Sequence, residues 1–135
     1  MRRDTATAAM LAGEEDAALR LAKPRGRPEA AIQRAIKARL AFHGVVCVAV
    51  PNEGRRSVAN GRMMKSSGLL PGFPDLILLA PGGRVAFLEV KAPAGRVSSA
   101  QSEAHAMLDR LGHHVAVVRS QDDAVDVLRG WGWRV

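Results

Sequence analysis

The chain has 135 residues, 47% of them hydrophobic and 24% charged, ordinary values for one globular domain with room for a short tail and no need of covalent staples. Its single cysteine, Cys47, excludes an internal disulfide and a cysteine-built zinc site, and no apolar run reaches membrane-spanning length. The 20 Lys and Arg against 13 Asp and Glu leave a formal charge of +7 and a pI near 11.0, a surplus that suits a polyanion or simply keeps a small protein soluble.

Residues 1–28 read as a basic extension. Ala-rich Thr5 to Leu11, then Glu14-Glu15-Asp16 ahead of Ala17 to Leu21, fit a short helix with acids at its start and no core face. No apolar signal core follows Met1-Arg2-Arg3-Asp4, so the chain is expected to be cytoplasmic. Lys23-Pro24-Arg25-Gly26-Arg27-Pro28 resembles the AT-hook core. In that reading the prolines hold the segment extended, and Arg25 and Arg27 enter the narrow minor groove of A·T-rich DNA. The other reading is a basic linker before a helix.

Residues 29–135 have the pattern of a compact domain. Pro28-Glu29 opens a helix predicted to run to about His43, with Ile32, Ile36 and Leu40 as its apolar stripe. Glu29 lies about two turns before Ile36 and so on the same stripe. It is either an acid favoured in a first turn by the helix dipole or a functional carboxylate. After Gly44, the β-branched run Val45 to Val50 predicts a strand covered on both faces, with Cys47 a buried, inert thiol. Pro51 to Ser67 carries Arg55, Arg56, Arg62 and Lys65 and is long for a structureless connection, a length usually functional or disordered.

The most informative stretch is Gly68 to Gln101. Pro74-Asp75 opens the apolar run Leu76 to Ala80. The turn cluster Ala80-Pro81-Gly82-Gly83 folds Val85-Ala86-Phe87-Leu88 back beside it, and Glu89-Val90-Lys91 closes the second strand. A hairpin of this kind brings Asp75 and Glu89 to one end. Strand alternation puts Glu89 and Lys91 on one face with Val90 opposite. Charges gathered beside a sheet persist only when paired or metal-bound. Pro93 ends the strand, and Ser98 and Gln101 match the capping box of a helix from about Ser99 to Leu111. His105, one turn after Gln101, reads as a surface residue unless it approaches the site. His114 to Val118 is a strand and Asp122 to Arg129 a helix, with His113 and His114 at the strand entry. Trp131 and Trp133 are read first as packing residues, although stacking on bases or meeting a second subunit also suits them.

These motifs in this order resemble the VRR-NUC group of the PD-(D/E)XK nuclease superfamily, carried by Gly68, Pro71-Gly72-Phe73-Pro74-Asp75, Glu89-Val90-Lys91, Gly95-Arg96-Val97-Ser98 and Gln101. The resemblance implies an α/β, restriction-endonuclease-like αβββαβ core with a mixed central sheet flanked by helices. The crossover from the third strand through Ser99–Leu111 to the fourth agrees, being long enough to make those strands parallel.

It also implies a Mg2+ or Mn2+ site held by Glu29, Asp75, Glu89 and the Val90 carbonyl, with Asp75, Glu89, Lys91 and Gln101 catalytic. The reaction implied is metal-dependent hydrolysis of DNA phosphodiesters, on branched DNA such as four-way junctions or on duplex DNA, by a homodimer in replication, recombination or repair. Arg55, Arg56, Arg62, Lys65 and Arg96 would grip phosphates, with Arg25 and Arg27 on the extension. The alternative is a DNA-binding protein that has the fold and does not cut.

Overall fold

The structure is a computed structural model that describes residues 27–51, 68 and 70–135. The expectations for the short N-terminal helix, Arg25, Arg55, Arg56, Arg62 and Lys65 lie outside the described residues. Helix α1 spans Arg27–Ala41 and is followed by β1 (Val46–Ala49), β2 (Leu76–Ala80), β3 (Arg84–Val90), α2 (Ser99–Arg110), β4 (His114–Val118) and α3 (Gln121–Gly130). The order is the expected αβββαβ followed by a closing helix. Helix α1 starts at Arg27, two residues ahead of expectation. The last two residues of the 23–28 segment are therefore helical, and they depart from the extended form that the AT-hook resemblance implied.

The sheet runs β1-β2-β3-β4. β1 with β2 and β2 with β3 are antiparallel, while β3 with β4 is parallel, so the sheet is mixed. Gly82 and Gly83 both take positive φ in the β2–β3 turn, a conformation that costs glycine little. The register Leu76↔Leu88 and Leu78↔Ala86 gives the sheet two chemically different faces. One face carries Leu76, Leu78, Ala86, Leu88, Val90 and Val118, all buried against Ile36, Leu40, Ala124, Leu128 and Trp133. Ile36 and Leu40 are 0% exposed, and burial of side chains of this size contributes about 2 kcal/mol each. The other face carries Val46, Val48, Ile77, Leu79, Val85, Phe87, Glu89 and Val117, by alternation from the same register. Helix α2 packs on this face beside β3 and β4.

The expectation for the first strand is overturned. β1 is an edge strand with Val46 59% and Val48 41% exposed, because α2 reaches only the β3–β4 side. A β-branched run marks a strand equally well when one of its faces is open. Cys47 points to the core side and is half-buried. Burial pushes its thiol up, partly opposed by the charge of Lys37, which keeps it protonated. Trp133 is buried in the core, and Trp131 stacks on His114 with centroids 4.8 Å apart, so both tryptophans pack as expected. Among the described residues no helix is long and apolar enough to cross a membrane.

Candidate active site

The site forms where β2 begins and β3 ends. Leu76 pairs with Leu88, so Asp75, one residue before β2, meets the Glu89–Val90 end of β3. The Asp75 carboxylate is fixed by the backbone, its Oδ2 accepting from the Val90 N–H at 2.8 Å. The Asp75 carbonyl accepts from Val50 N–H at 2.8 Å, which ties the exit of β1 to the same place. Pro74, fully buried, anchors the approach.

Glu89 is the centre of the site. It is 1% exposed, and its two carboxylate oxygens differ in surroundings. Oε1 accepts from Gln101 Nε2 at 2.8 Å and lies 3.6 Å from Lys91 Nζ. Among the described residues Oε2 is buried with no hydrogen-bond partner, and 3.7 Å away stands His105 Nε2, which is equally buried and unpartnered. Burial, then the neighbouring negative charge of Asp75, pushes the Glu89 carboxyl up to about 8 against the opposing pull of Lys91. Burial likewise moves His105 below its ordinary value, while Asp75 acts in the other direction.

Gln101 and His105 are one turn apart on α2 and address the two oxygens of one carboxylate. The helix start that places them is held by the expected capping box. Ser98 Oγ accepts from Gln101 N–H at 3.2 Å, and Gln101 Oε1 accepts from Ser98 N–H at 2.9 Å. The side-chain carbonyl of Gln101 thus caps the helix while its amide nitrogen donates to Glu89. The surface reading of His105 is corrected, because the i+4 spacing carries it to the same buried carboxylate.

Glu29 stands differently from expectation. Its Oε1 accepts from the Ala92 N–H at a long 3.4 Å, at the end of β3 beyond Lys91. Helix α1 packs on the sheet face opposite to the one Glu89 faces, so Glu29 approaches the strand end from the other side. Among the described residues no three His, Cys, Asp or Glu side chains gather into a metal-ligand group. What is assembled is the pair Asp75 and Glu89. That pair suits Mg2+ or Mn2+, hard cations that keep several waters and are bound through one or two carboxylates together with substrate phosphates. A buried carboxylate oxygen with no donor, on a group that burial and the neighbouring Asp75 charge push up to about 8 despite Lys91, is what a cation would satisfy.

One site-building residue was not singled out in the sequence. Arg119 follows β4, and its Nη1 donates to Ala92 O at 2.7 Å, Gly95 O at 2.7 Å and Pro93 O at 3.3 Å. It clamps the turn after Lys91. The signal was available in the parallel pairing of β3 and β4, since Val90 opposite Val118 puts the residues that follow side by side. Arg96, in that segment, is exposed. Arg27 opens α1.

The VRR-NUC domain family matches residues 27–122 of the chain. The chain belongs to the VRR-NUC domain family. The VRR-NUC match runs from the start of α1 to the start of α3 and takes in every residue of the site. Two solved structures share the fold. One, described as a VRR_NUC domain, has a TM-score of 0.56 and 27% identity over 76% of this chain and 95% of its own. The other, described as a VRR_NUC domain protein, has a TM-score of 0.57 and 21% identity over 80% of this chain and 90% of its own. A relative named "Putative nuclease p44", from Acyrthosiphon pisum secondary endosymbiont phage 1, is 43% identical over 51 residues. That match is 38% of this chain and spans about half, 55%, of the relative.

Proposed function

We propose that this VRR-NUC chain is a divalent-metal-dependent DNA endonuclease that hydrolyses phosphodiester bonds of branched DNA, such as four-way junctions, in replication, recombination or repair. The observation that carries the reading is the buried Glu89, with Asp75 against it, Lys91 and Gln101 on one oxygen and nothing bonded to the other. A purely structural role leaves that costly group unexplained.

Asp75 and Glu89 would hold Mg2+ or Mn2+, joined by the Val90 carbonyl and approached from α1 by Glu29. When bound, the ion polarises the scissile phosphate and lowers the pKa of a water. Lys91, on the Glu89 face of the strand end, positions or deprotonates the attacking water and offsets the negative charge that develops on the phosphate. Gln101 fixes Glu89 Oε1 so that the carboxylate does not swing. Arg119 holds the turn that follows Lys91. Arg55, Arg56, Arg62, Lys65 and Arg96 contact phosphates, and Arg25 on the extension and Arg27 at the start of α1 add contacts. A homodimer would supply two sites for paired cuts in a junction, and the protein would act in the cytoplasm, a bacterial nucleoid or a phage host.

The test is cleavage of labelled four-way junction, flap, single-stranded and linear duplex DNA with Mg2+, Mn2+ or EDTA, with Lys91→Ala in parallel. Metal-dependent cutting lost in Lys91→Ala is the expected result. Tight DNA binding by both proteins with no cutting of any substrate would leave only a DNA-binding protein of this fold.

A further inference from the structure

The most unusual feature of the site is two orphaned atoms facing each other. Glu89 Oε2 and His105 Nε2 are both buried, both lack a hydrogen-bond partner, and lie 3.7 Å apart. Buried polar atoms without partners are uncommon and call for something between them. A direct hydrogen bond does not account for the pair, because 3.7 Å is beyond the range of N–H···O contacts. A cation does. Metal–nitrogen and metal–oxygen bonds of about 2.0–2.2 Å each together exceed the gap, so one ion can touch both atoms where they stand. The rest of the local bonding points the same way, since Gln101 and Lys91 both address Oε1 and leave Oε2 open on the His105 side.

We propose that His105 is a nitrogen ligand of the metal held by Glu89, and that it tilts the site towards Mn2+ and other imidazole-binding ions over Mg2+. The inference rests on the metal-dependent reading above and deepens it, naming the residue that sets metal choice. The physical reason is ligand chemistry. Mg2+ takes oxygen donors almost by rule, whereas imidazole nitrogen is a good ligand for transition ions, whose affinities rise along the first row from Mn2+. An all-oxygen site would treat Mg2+ and Mn2+ more alike. A neutral nitrogen in place of one oxygen also keeps negative charge low beside Asp75, where a third carboxylate would add repulsion.

The experiment uses the full chain with Mn2+ and Mg2+ alone, without DNA. Pulsed electron paramagnetic resonance of the Mn2+-loaded protein is expected to show coupling to a directly coordinated nitrogen, absent in His105→Ala and His105→Gln. Thermal-shift titrations are expected to show Mn2+ affinity falling about tenfold or more in both variants, the scale typical of losing a metal-site partner, with Mg2+ affinity changing less than about threefold. Wild-type Mn2+ spectra without nitrogen coupling would overturn the proposal whatever the variants do, and so would an unchanged Mn2+-to-Mg2+ ratio in a folded variant. Asp75→Asn separates the two levels. If it abolishes binding of both ions while the His105 variants behave as wild type, only the nitrogen ligand is refuted. If Asp75→Asn binds both ions as wild type does, the metal reading of the whole site falls.

Discussion

Gln101 donates its side-chain N–H to Glu89 Oε1 at 2.8 Å while its side-chain carbonyl accepts from the Ser98 N–H at 2.9 Å. One amide thus closes the capping box of α2 and holds the most deeply buried charge-bearing group of the site. Gln101→Glu separates the two tasks. Glutamate keeps the capping-box acceptor but has no N–H for Glu89 and brings a third carboxylate beside it. The helix start should survive, read as unchanged amide protection at residues 99–103, while DNA cutting falls tenfold or more, on the order of the 1.4 kcal/mol that a lost charge-assisted hydrogen bond is worth.

The pH dependence of stability follows from Glu89. Its carboxyl is raised from 4.5 to about 8 in the folded chain, so between those values the folded state keeps a proton that the unfolded state has lost. Stability of the metal-free protein therefore falls as pH rises through that window. His105, lowered by burial, acts oppositely below its unfolded value near 6.5, where stability is lost as pH falls. The clean range is pH 6.5 to 8. There the metal-free melting temperature should drop, the stabilisation by Mg2+ or Mn2+ should grow, and Glu89→Gln should flatten both trends and melt about 5 °C higher at pH 8. A wild-type melting temperature that rises across this range would contradict the assignment.

Lys91 stands 3.6 Å from Glu89 Oε1 and its side chain is 13% exposed. Lys91→Met retains most of the aliphatic stem and removes the charge. Cleavage should fall by about 100-fold or more, a scale typical of one preorganised transition-state contact, with binding to a four-way junction changed less than about threefold in a filter or mobility assay.

Gly72 ties the Pro71–Phe73 turn to α2. Its φ is +75°, and a Cβ there would run into the backbone of Ala100. Gly72→Ala combines backbone strain with a collision that neither segment can relieve by a rotamer change. Urea unfolding should show a loss of about 2 kcal/mol or more, and cutting should fall as well, because the same turn leads into Asp75.

Arg119→Ala removes the guanidinium that bonds three carbonyls after Lys91. Loss of charge-assisted bonds to a partly buried loop should cost about 1–3 kcal/mol in chemical denaturation. Hydrogen exchange should rise at residues 92–96 with little change in β2. Arg119→Lys should restore only part of this, since one ammonium cannot reproduce the planar fork.

The sequence by itself determined the order of elements and the place of the chemistry. Period-two alternation and the Pro81-Gly82-Gly83 turn set the hairpin, and with it the meeting of Asp75 and Glu89 and the shared face of Glu89 and Lys91, because those relations are local in the chain. The capping box of Ser98 and Gln101 was legible for the same reason. Only the tertiary structure decided what depends on which layer covers which face. Val46 and Val48 lie on an open edge because α2 covers β3 and β4 alone. Glu29 bonds Ala92 instead of joining the carboxylate pair because α1 lies behind the sheet. His105 and Arg119 reach the site only because α2 and β4 pack beside β3, which sets the helix face carrying Gln101 and His105, and the residue after β4, against the end of that strand. Burial does the rest: a glutamate in a strand shows its identity in the sequence, whereas its raised carboxyl and its unpartnered oxygen exist only once α2 has closed over it.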